Sequence, residues 1–231
     1  MGTEKVLSTV RGGIMTVTLH RPEKLNAIDN DLARELLQAI ASAGSSDDVR
    51  VLQLRGAGRA FCAGRDVGAP PTEQDLDLVQ AVAAALVTLP KPVVAAVHGW
   101  TLGAGLEWML DADVVIAAQS SRFKLPEASL GVFVTGGLTA TLPAFAGLAR
   151  AKALMLLGEE FGAVEAQAWG LVWQVVPDAD LDATAARVSE KLAALAPNVV
   201  SRYKKVLNEM QLAHFQRAVD AESEAQRALQ P

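Results

Sequence analysis

Val93-Val94-Ala95-Ala96-Val97-His98-Gly99-Trp100-Thr101-Leu102-Gly103-Ala104-Gly105-Leu106-Glu107 is the stretch on which the fold turns. Its first five residues are apolar without alternation, which suits a strand buried on both faces, the habit of parallel sheets. Glycines follow at 99, 103 and 105, and residues 103–110 then carry a helical pattern with Glu107 in the first turn. The same rhythm recurs on either side. Residues 51–54 form a short strand that runs into a second glycine turn, Arg59-Ala60-Phe61-Cys62-Ala63-Gly64-Arg65-Asp66, and residues 114–117 form the next strand. Strands alternating with helices indicate an α/β fold with parallel strands and right-handed crossovers.

Further out, residues 6–10 and 14–19 flank Arg11-Gly12-Gly13 as an antiparallel hairpin. Asp29 or Asn30 caps a helix over 31–42 with Leu32, Leu36, Leu37 and Ile40 on one face. Pro70-Pro71-Thr72 breaks the chain before an alanine-rich helix over 73–88, which ends ahead of Pro90 and Pro92. From residue 138 the pattern is almost all helical: 138–145, 149–157, 163–169, 181–195 and 199–229, with one short strand at 171–176.

At 231 residues and 51% apolar composition, the chain is long enough for one sizeable core. A net charge of −5, with a pI near 5.3 and no basic cluster, argues against a nucleic-acid partner. The single Cys62 excludes an internal disulfide, and His20, His98 and His214 make no metal-ligand spacing, so no metal is expected. The N-terminus lacks the sections of a signal peptide, and no apolar stretch reaches the roughly 20 residues of a membrane span. A soluble protein in a reducing, cytoplasmic setting is the expectation.

The two glycine turns carry the chemistry. Each can hold a backbone N–H at the mouth of a sheet, and two such groups facing one point make an oxyanion hole. Gly64 lets the first turn aim the Arg65 N–H inward; Gly103 and Gly105 do the same for Ala104, whose place at a helix N-terminus adds positive potential. Glu107 lies three residues beyond Ala104, on the same side of that helix. A second acid, Glu127 in Phe123-Lys124-Leu125-Pro126-Glu127, follows a strand and a proline. Two carboxylates at one site can hold a water between them, as addition of water to a conjugated double bond requires. Plainer roles compete with each of these: a tight crossover for either turn, a first-turn carboxylate for Glu107, a solvated loop residue for Glu127. Cys62 reads as a small core residue, because no base is spaced to activate it. The glycines at 99, 103 and 105 do not follow G-x-G-x-x-G. His20 and His98 read as structural, while Trp100 and Trp108 flank the second turn as packing residues that can also shape an acyl pocket.

Together these residues resemble the enoyl-CoA hydratase/isomerase family, the crotonase superfamily. The likeness begins at Arg21-Pro22-Glu23-Lys24-Leu25-Asn26-Ala27, passes through both glycine turns and residues 123–131, and ends in Ala166-Gln167-Ala168-Trp169-Gly170-Leu171-Val172. It implies a ββα spiral core over 1–190 with an acyl-CoA site, and a C-terminal helical region over 191–231 used for trimerisation, as trimers or as hexamers made of two trimers. The substrate is then an acyl-CoA, and with coenzyme A part of the substrate no separate cofactor is implied. By position the oxyanion donors are the N–H groups of Arg65 and Ala104, and Glu107 and Glu127 fall on the two glutamates of hydratases. Lys24, Leu25 and Ala27, with Ala63, Arg65, Asp66, Val67 and Gly68, fall where the family contacts nucleotide and pantetheine. Both glutamates being present favours hydration over the isomerase branch, which commonly keeps only the carboxylate at the Glu127 position. A hydratase/lyase and a non-catalytic acyl-CoA binder remain alternatives, and no aspartate near Thr135 serves a dehalogenase. The chain departs from the family at Ala104, where glycine is usual, and at Val132-Phe133-Val134-Thr135-Gly136-Gly137-Leu138, which should reshape the pocket. It also stops at Pro231, which implies looser coenzyme A binding or completion by a neighbouring subunit.

Overall fold

The computed structural model describes residues 4–68 and 72–229; the proline break at Pro70 and Pro71 lies outside them. β1 (Val6–Arg11) and β2 (Ile14–Leu19) pair antiparallel across Gly12 and Gly13, both at positive φ. α1 (Asn30–Ser45) starts at Asp29, whose carboxylate accepts the Leu32 N–H at 2.9 Å, and buries Leu32, Leu36 and Ile40 as the spacing requires.

Three units of one design follow. The first is β3 (Val51–Gly56), β4 (Ala60–Cys62) and α2 (Glu73–Thr88). The second is β5 (Val93–Val97), β6 (Trp100–Leu102) and α3 (Ala104–Leu110). The third is β7 (Val114–Ala118), β8 (Arg122–Lys124) and the short α4 (Glu127–Leu130). The longer strand of each unit joins a six-stranded sheet in the order β1-β2-β3-β5-β7-β10, where β10 is Gln174–Val176; the shorter joins a four-stranded sheet, β4-β6-β8-β9, where β9 is Phe161–Gly162. The chain thus steps from sheet to sheet as it spirals, and each glycine turn predicted from sequence contains a three-residue strand of the second sheet. Three residues are too few for a periodic pattern, so the reading found the turn and missed the strand.

β5 explains its own composition. Val93, Ala95 and Val97 enter the main core with α1, α2 and α3, whereas Val94 and Ala96 enter a second cluster with Leu181 and Ala185 of α8 (Leu181–Ala193). Both faces of the strand are covered, and no polar alternation is tolerated.

The remaining helices are α5 (Leu138–Ala146), α6 (Leu148–Leu157), α7 (Ala163–Ala168), α9 (Pro197–Gln211) and α10 (Phe215–Ala228). Two expectations need correction. The helix predicted over 199–229 is two helices broken at residues 212–214, because the two halves bury different faces. α9 buries only Lys204, while α10 turns back to bury Phe215, Val219, Glu222, Ser223 and Gln226. The strand predicted over 171–176 shortens to Gln174–Val176, since Leu171 and Val172 are buried as an irregular segment. Lys204 fastens α9: its ammonium donates to the carbonyls of Leu86 and Lys91 and to Asp113 at 2.8 Å. No helix among the described residues is long and apolar enough to cross a membrane.

Candidate active site

The two glycine turns lie against each other. Gly64 has φ +80°, and a Cβ added there would sit 2.7 Å from the Leu102 carbonyl oxygen and 3.6 Å from the Ala104 nitrogen. Gly105 makes the other contact, with its Cα packed on Cys62. Around Arg65 the chain bridges to Ile28: the Ile28 N–H donates to Gly64 O and the Asp66 N–H to Ile28 O, both at 2.8 Å. That pattern turns the Arg65 N–H to the opposite edge of the strand. Ala104 is the first residue of α3, where an N–H has no intrahelical acceptor.

Arg65 and Ala104 line one cavity of about 460 Å³ together with Ala63, Gly64, Glu107 and Glu127. Its far wall is apolar, formed by Leu76 and Val79 of α2 and by Leu130, Val132 and Phe133. Glu107 is 1% exposed. Its carboxyl accepts the Thr135 N–H at 3.2 Å and the Gly136 N–H at 2.5 Å. Burial holds this carboxyl well above the ordinary carboxylate range, and the charges of Glu222 and Glu127 add to the effect against the two N–H donors.

Glu127 opens α4 and reaches back over the second turn, so that a Cβ on Gly103 would lie 2.5 Å from its Oε1. The residue is partly exposed, yet its Oε2 is buried with no hydrogen-bond partner, and burial pushes the carboxyl up to about 7. The other buried side-chain polar atoms without partners among the described residues belong to Thr101 and Asp111, neither of which lines the cavity. A buried carboxyl oxygen without a donor, on a side chain that lines the cavity, is an unmet acceptor for water or ligand. Asp111, one turn beyond Glu107, is also held well above its usual range, first by burial and then by Glu107 and Glu222.

The structure gathers most of the site residues read from the sequence. Ala63, Arg65, Val67, Gly68, Ala104, Glu107 and Glu127 line the cavity, and Lys24 and Asp66 line an adjoining depression that shares Arg65 and Gly68 with it. Leu25 and Ala27 line neither. The Leu25 carbonyl takes the Ala63 N–H at 3.0 Å and the Ala27 carbonyl takes Arg21 Nη1 at 3.0 Å, so both shape the strap behind the first turn. Asp66 is tied to Arg21 at 2.8 Å, and that bond, with the Gly68 N–H, keeps its carboxyl below the usual range. Trp108 does not reach the pocket: it is fully buried, with Nε1 donating to Val79 O at 3.2 Å, and Trp100 also lies outside the cavity wall. His98 Nε2 lies 2.8 Å from Gly58 O and His20 Nδ1 3.3 Å from Glu4 O, as structural histidines do. Cys62 is buried, its thiol pushed up to about 12 by desolvation.

Sequence reasoning missed Glu222 and Gln226 of α10, which reach the loop around Glu107. Their signal was present: Phe215, Val219, Glu222 and Gln226 fall at helical spacings that put them on one face, a polar pair continuing an apolar stripe. Among the described residues no three His, Cys, Asp or Glu side chains gather as metal ligands would.

Comparison with known proteins bears on the fold and the family. The profile of the family described as enoyl-CoA hydratase/isomerase matches residues 9–230. A 1,2-epoxyphenylacetyl-CoA isomerase of Escherichia coli (strain K12) is 38% identical, over 97% of this chain and 89% of its own length. A short-chain-enoyl-CoA hydratase of Clostridium acetobutylicum is 32% identical over the same shares of the two chains. Among solved structures, an enoyl-CoA hydratase from Mycobacterium avium subsp. paratuberculosis K-10 superposes with a TM-score of 0.93 at 30% identity, covering 97% of this chain and 89% of that one. With the spiral of ββα units, the paired glycine turns and this likeness along almost its whole length, the chain belongs to the enoyl-CoA hydratase/isomerase family.

Proposed function

We propose that the protein adds water across the 2,3-double bond of an enoyl-CoA thioester. The observation that carries this is the convergence of two glutamates, the buried Glu107 and the partly buried Glu127, on one cavity whose wall holds the touching glycine turns. The thioester oxygen sits between the N–H groups of Arg65 and Ala104. One glutamate takes a proton from water as the water oxygen bonds to C3. The electron pair of the double bond moves toward the thioester oxygen, and the two amides hold the resulting enolate; removing one such donor typically costs about 3 kcal/mol of transition-state stabilisation. The other glutamate gives its proton to C2, so each ends the step in the other's protonation state. Burial that raises both carboxyls favours their protonated forms, which suits the proton-donating half of this exchange, and Glu127 at about 7 has both forms populated near neutral pH.

Lys24, Asp66, Val67 and Gly68 flank the cavity mouth, where the coenzyme A portion enters, and coenzyme A is needed only as part of the substrate. The exposed apolar stripe Val199, Tyr203, Val206, Leu207 and Met210 on α9 supports self-association as a trimer or a pair of trimers. The lone buried Cys62 accords with a cytoplasmic setting.

A second reading, isomerisation of the double bond on the same enolate, draws on one observation. Both oxygens of Glu107 are engaged by loop amides, whereas Glu127 Oε2 has no hydrogen-bond partner. A panel of aliphatic and aromatic enoyl-CoA thioesters in deuterated water separates the two. Hydration gives a product heavier by one water with deuterium at C2, and isomerisation gives deuterium without added water. Full hydration by both the Glu107→Gln and Glu127→Gln variants, on every thioester the parent accepts, would sink the proposal.

A further inference from the structure

The segment over residues 133–139, which overlaps the departure from the family pattern at 132–138, is held from two sides by side chains. Glu107 takes the N–H groups of Thr135 and Gly136. α10 takes three more: Gln226 Oε1 accepts the Phe133 N–H at 2.7 Å, and Glu222 accepts the Gly137 N–H at 2.7 Å and the Thr139 N–H at 2.7 Å, together with the Thr139 hydroxyl at 2.6 Å. Glu222 is 1% exposed and both of its oxygens are used. Phe215 closes the same contact, its ring so near Gly137 that no Cβ fits there. The amides that orient Glu107 therefore stand next in the chain to amides fixed by a carboxylate some 85 residues away in sequence.

We propose that Glu222 is a positioning residue for the reaction, fixing Gly137 and Thr139 so that the neighbouring amides of Thr135 and Gly136 aim the Glu107 carboxyl at the substrate. This rests on the reading that Glu107 handles a proton of the substrate. A bond from an N–H to a buried carboxylate is stronger than one between neutral groups. A chain of such bonds from α10 through the loop to Glu107 leaves the loop no alternative seat. The charged or titratable groups facing Glu107 are Glu127 from α4, Asp111 on its own helix and Glu222 from α10, with Lys204 of α9 acting on Asp111. Glu222 is thus also a source of negative potential at Glu107.

The test uses the full chain and two variants, Glu222→Gln, which keeps shape and removes charge, and Thr139→Val, which removes one donor and leaves Glu222 intact. Circular dichroism and melting establish that each is folded. For Glu222→Gln, kcat is expected to fall about tenfold or more with KM within about threefold, the loss of one or two bonds to a charged group. The limb of the pH profile that Glu107→Gln removes is expected to move to lower pH, because a negative charge that raises Glu107 is gone. Thr139→Val is expected to lower kcat by a smaller factor in the same direction. A folded Glu222→Gln variant with the parent's kcat and pH profile overturns the proposal. If that variant does not fold, a Thr139→Val enzyme indistinguishable from the parent in both measures overturns it. Loss of turnover in Glu107→Gln beside parental Glu222→Gln defeats this inference alone, whereas full turnover in Glu107→Gln defeats the reading beneath it.

Discussion

Glu127→Gln exchanges a carboxyl for a neutral group of the same shape at the point where α4 meets the second glycine turn. Burial raises Glu127 from 4.5 to about 7 in the folded protein. Between those values the folded state binds a proton that the unfolded chain has released, so stability falls as pH rises through the window and the whole cost is present above it. At 1.36 kcal/mol per pH unit the gap amounts to about 3 kcal/mol at pH 8, and to less than about 1 kcal/mol at pH 5. Gln bears no such cost. The variant is therefore expected to melt above the parent at pH 8 by about 6–12 °C, on the scale of 2–4 °C per kcal/mol for a domain of this size, and close to it at pH 5. Its turnover is expected to drop by about 10²–10⁴, the usual loss on removing a general acid or base. Thermal unfolding at the two pH values and steady-state kinetics at pH 8 check both halves. A melting difference that does not change with pH, or a parent more stable at pH 8, would refute the argument that burial of this carboxyl is what raises it.

Gly64→Ala places a methyl in the left-handed region and against the Leu102 carbonyl. Strain of about 1–2 kcal/mol and overpacking of about 1–3 kcal/mol predict a melting point lower by at least about 4 °C. A fall in kcat accompanies it, as the turn bearing Ala104 is pushed aside; parental values of both would contradict the contact. Lys204→Met removes the buried ammonium that pairs with Asp113, which also accepts the Val93 N–H, and leaves the Leu86 and Lys91 carbonyls without that donor. A loss of about 1–3 kcal/mol in urea unfolding is expected, partly recovered when Asp113→Asn is added. Cys62, with its thiol at about 12, is expected to resist iodoacetamide at pH 8 in the native protein and to react fully in denaturant, as read by mass spectrometry.

Local patterns were the legible ones. The unbroken apolar run of β5 and the capping Asp29 depend on neighbours in the chain, and both stand where the residues put them. So do the turns at Gly64 and Gly103, because a positive φ leaves a mark on composition. β4 and β6 were invisible, since three residues paired across a crossover show no period. The break between α9 and α10 was hidden for another reason: no Pro or Gly marks it, and the chain turns there because Phe215 finds its cavity beside Gly137, a contact about 80 residues away in sequence. Glu222 belongs to the same class. An acidic residue on an amphipathic helix reads as solvated until tertiary structure supplies three donors from a loop.

The engagement of Glu107 by Thr135 and Gly136 bears on which reaction the enolate undergoes. Two N–H donors look like a carboxyl withdrawn from chemistry, which would leave Glu127 to work alone as in isomerisation. The acceptor count says otherwise. A carboxylate offers about four lone-pair sites, two on each oxygen, and the loop uses one on each. The remaining two can take a water without breaking either loop bond, so the loop fixes the direction in which Glu107 accepts and leaves it able to accept. Release from the loop would forfeit two hydrogen bonds, each worth about 0.5–1.5 kcal/mol net, and leave the Gly136 amide unpaired in a buried place, which makes a swinging Glu107 a poor mechanism. Hydration and isomerisation then differ by whether a water fits between this fixed carboxyl and Glu127 once the acyl chain is bound. Val132, Phe133 and Leu130, which wall that space, are the residues whose bulk decides it.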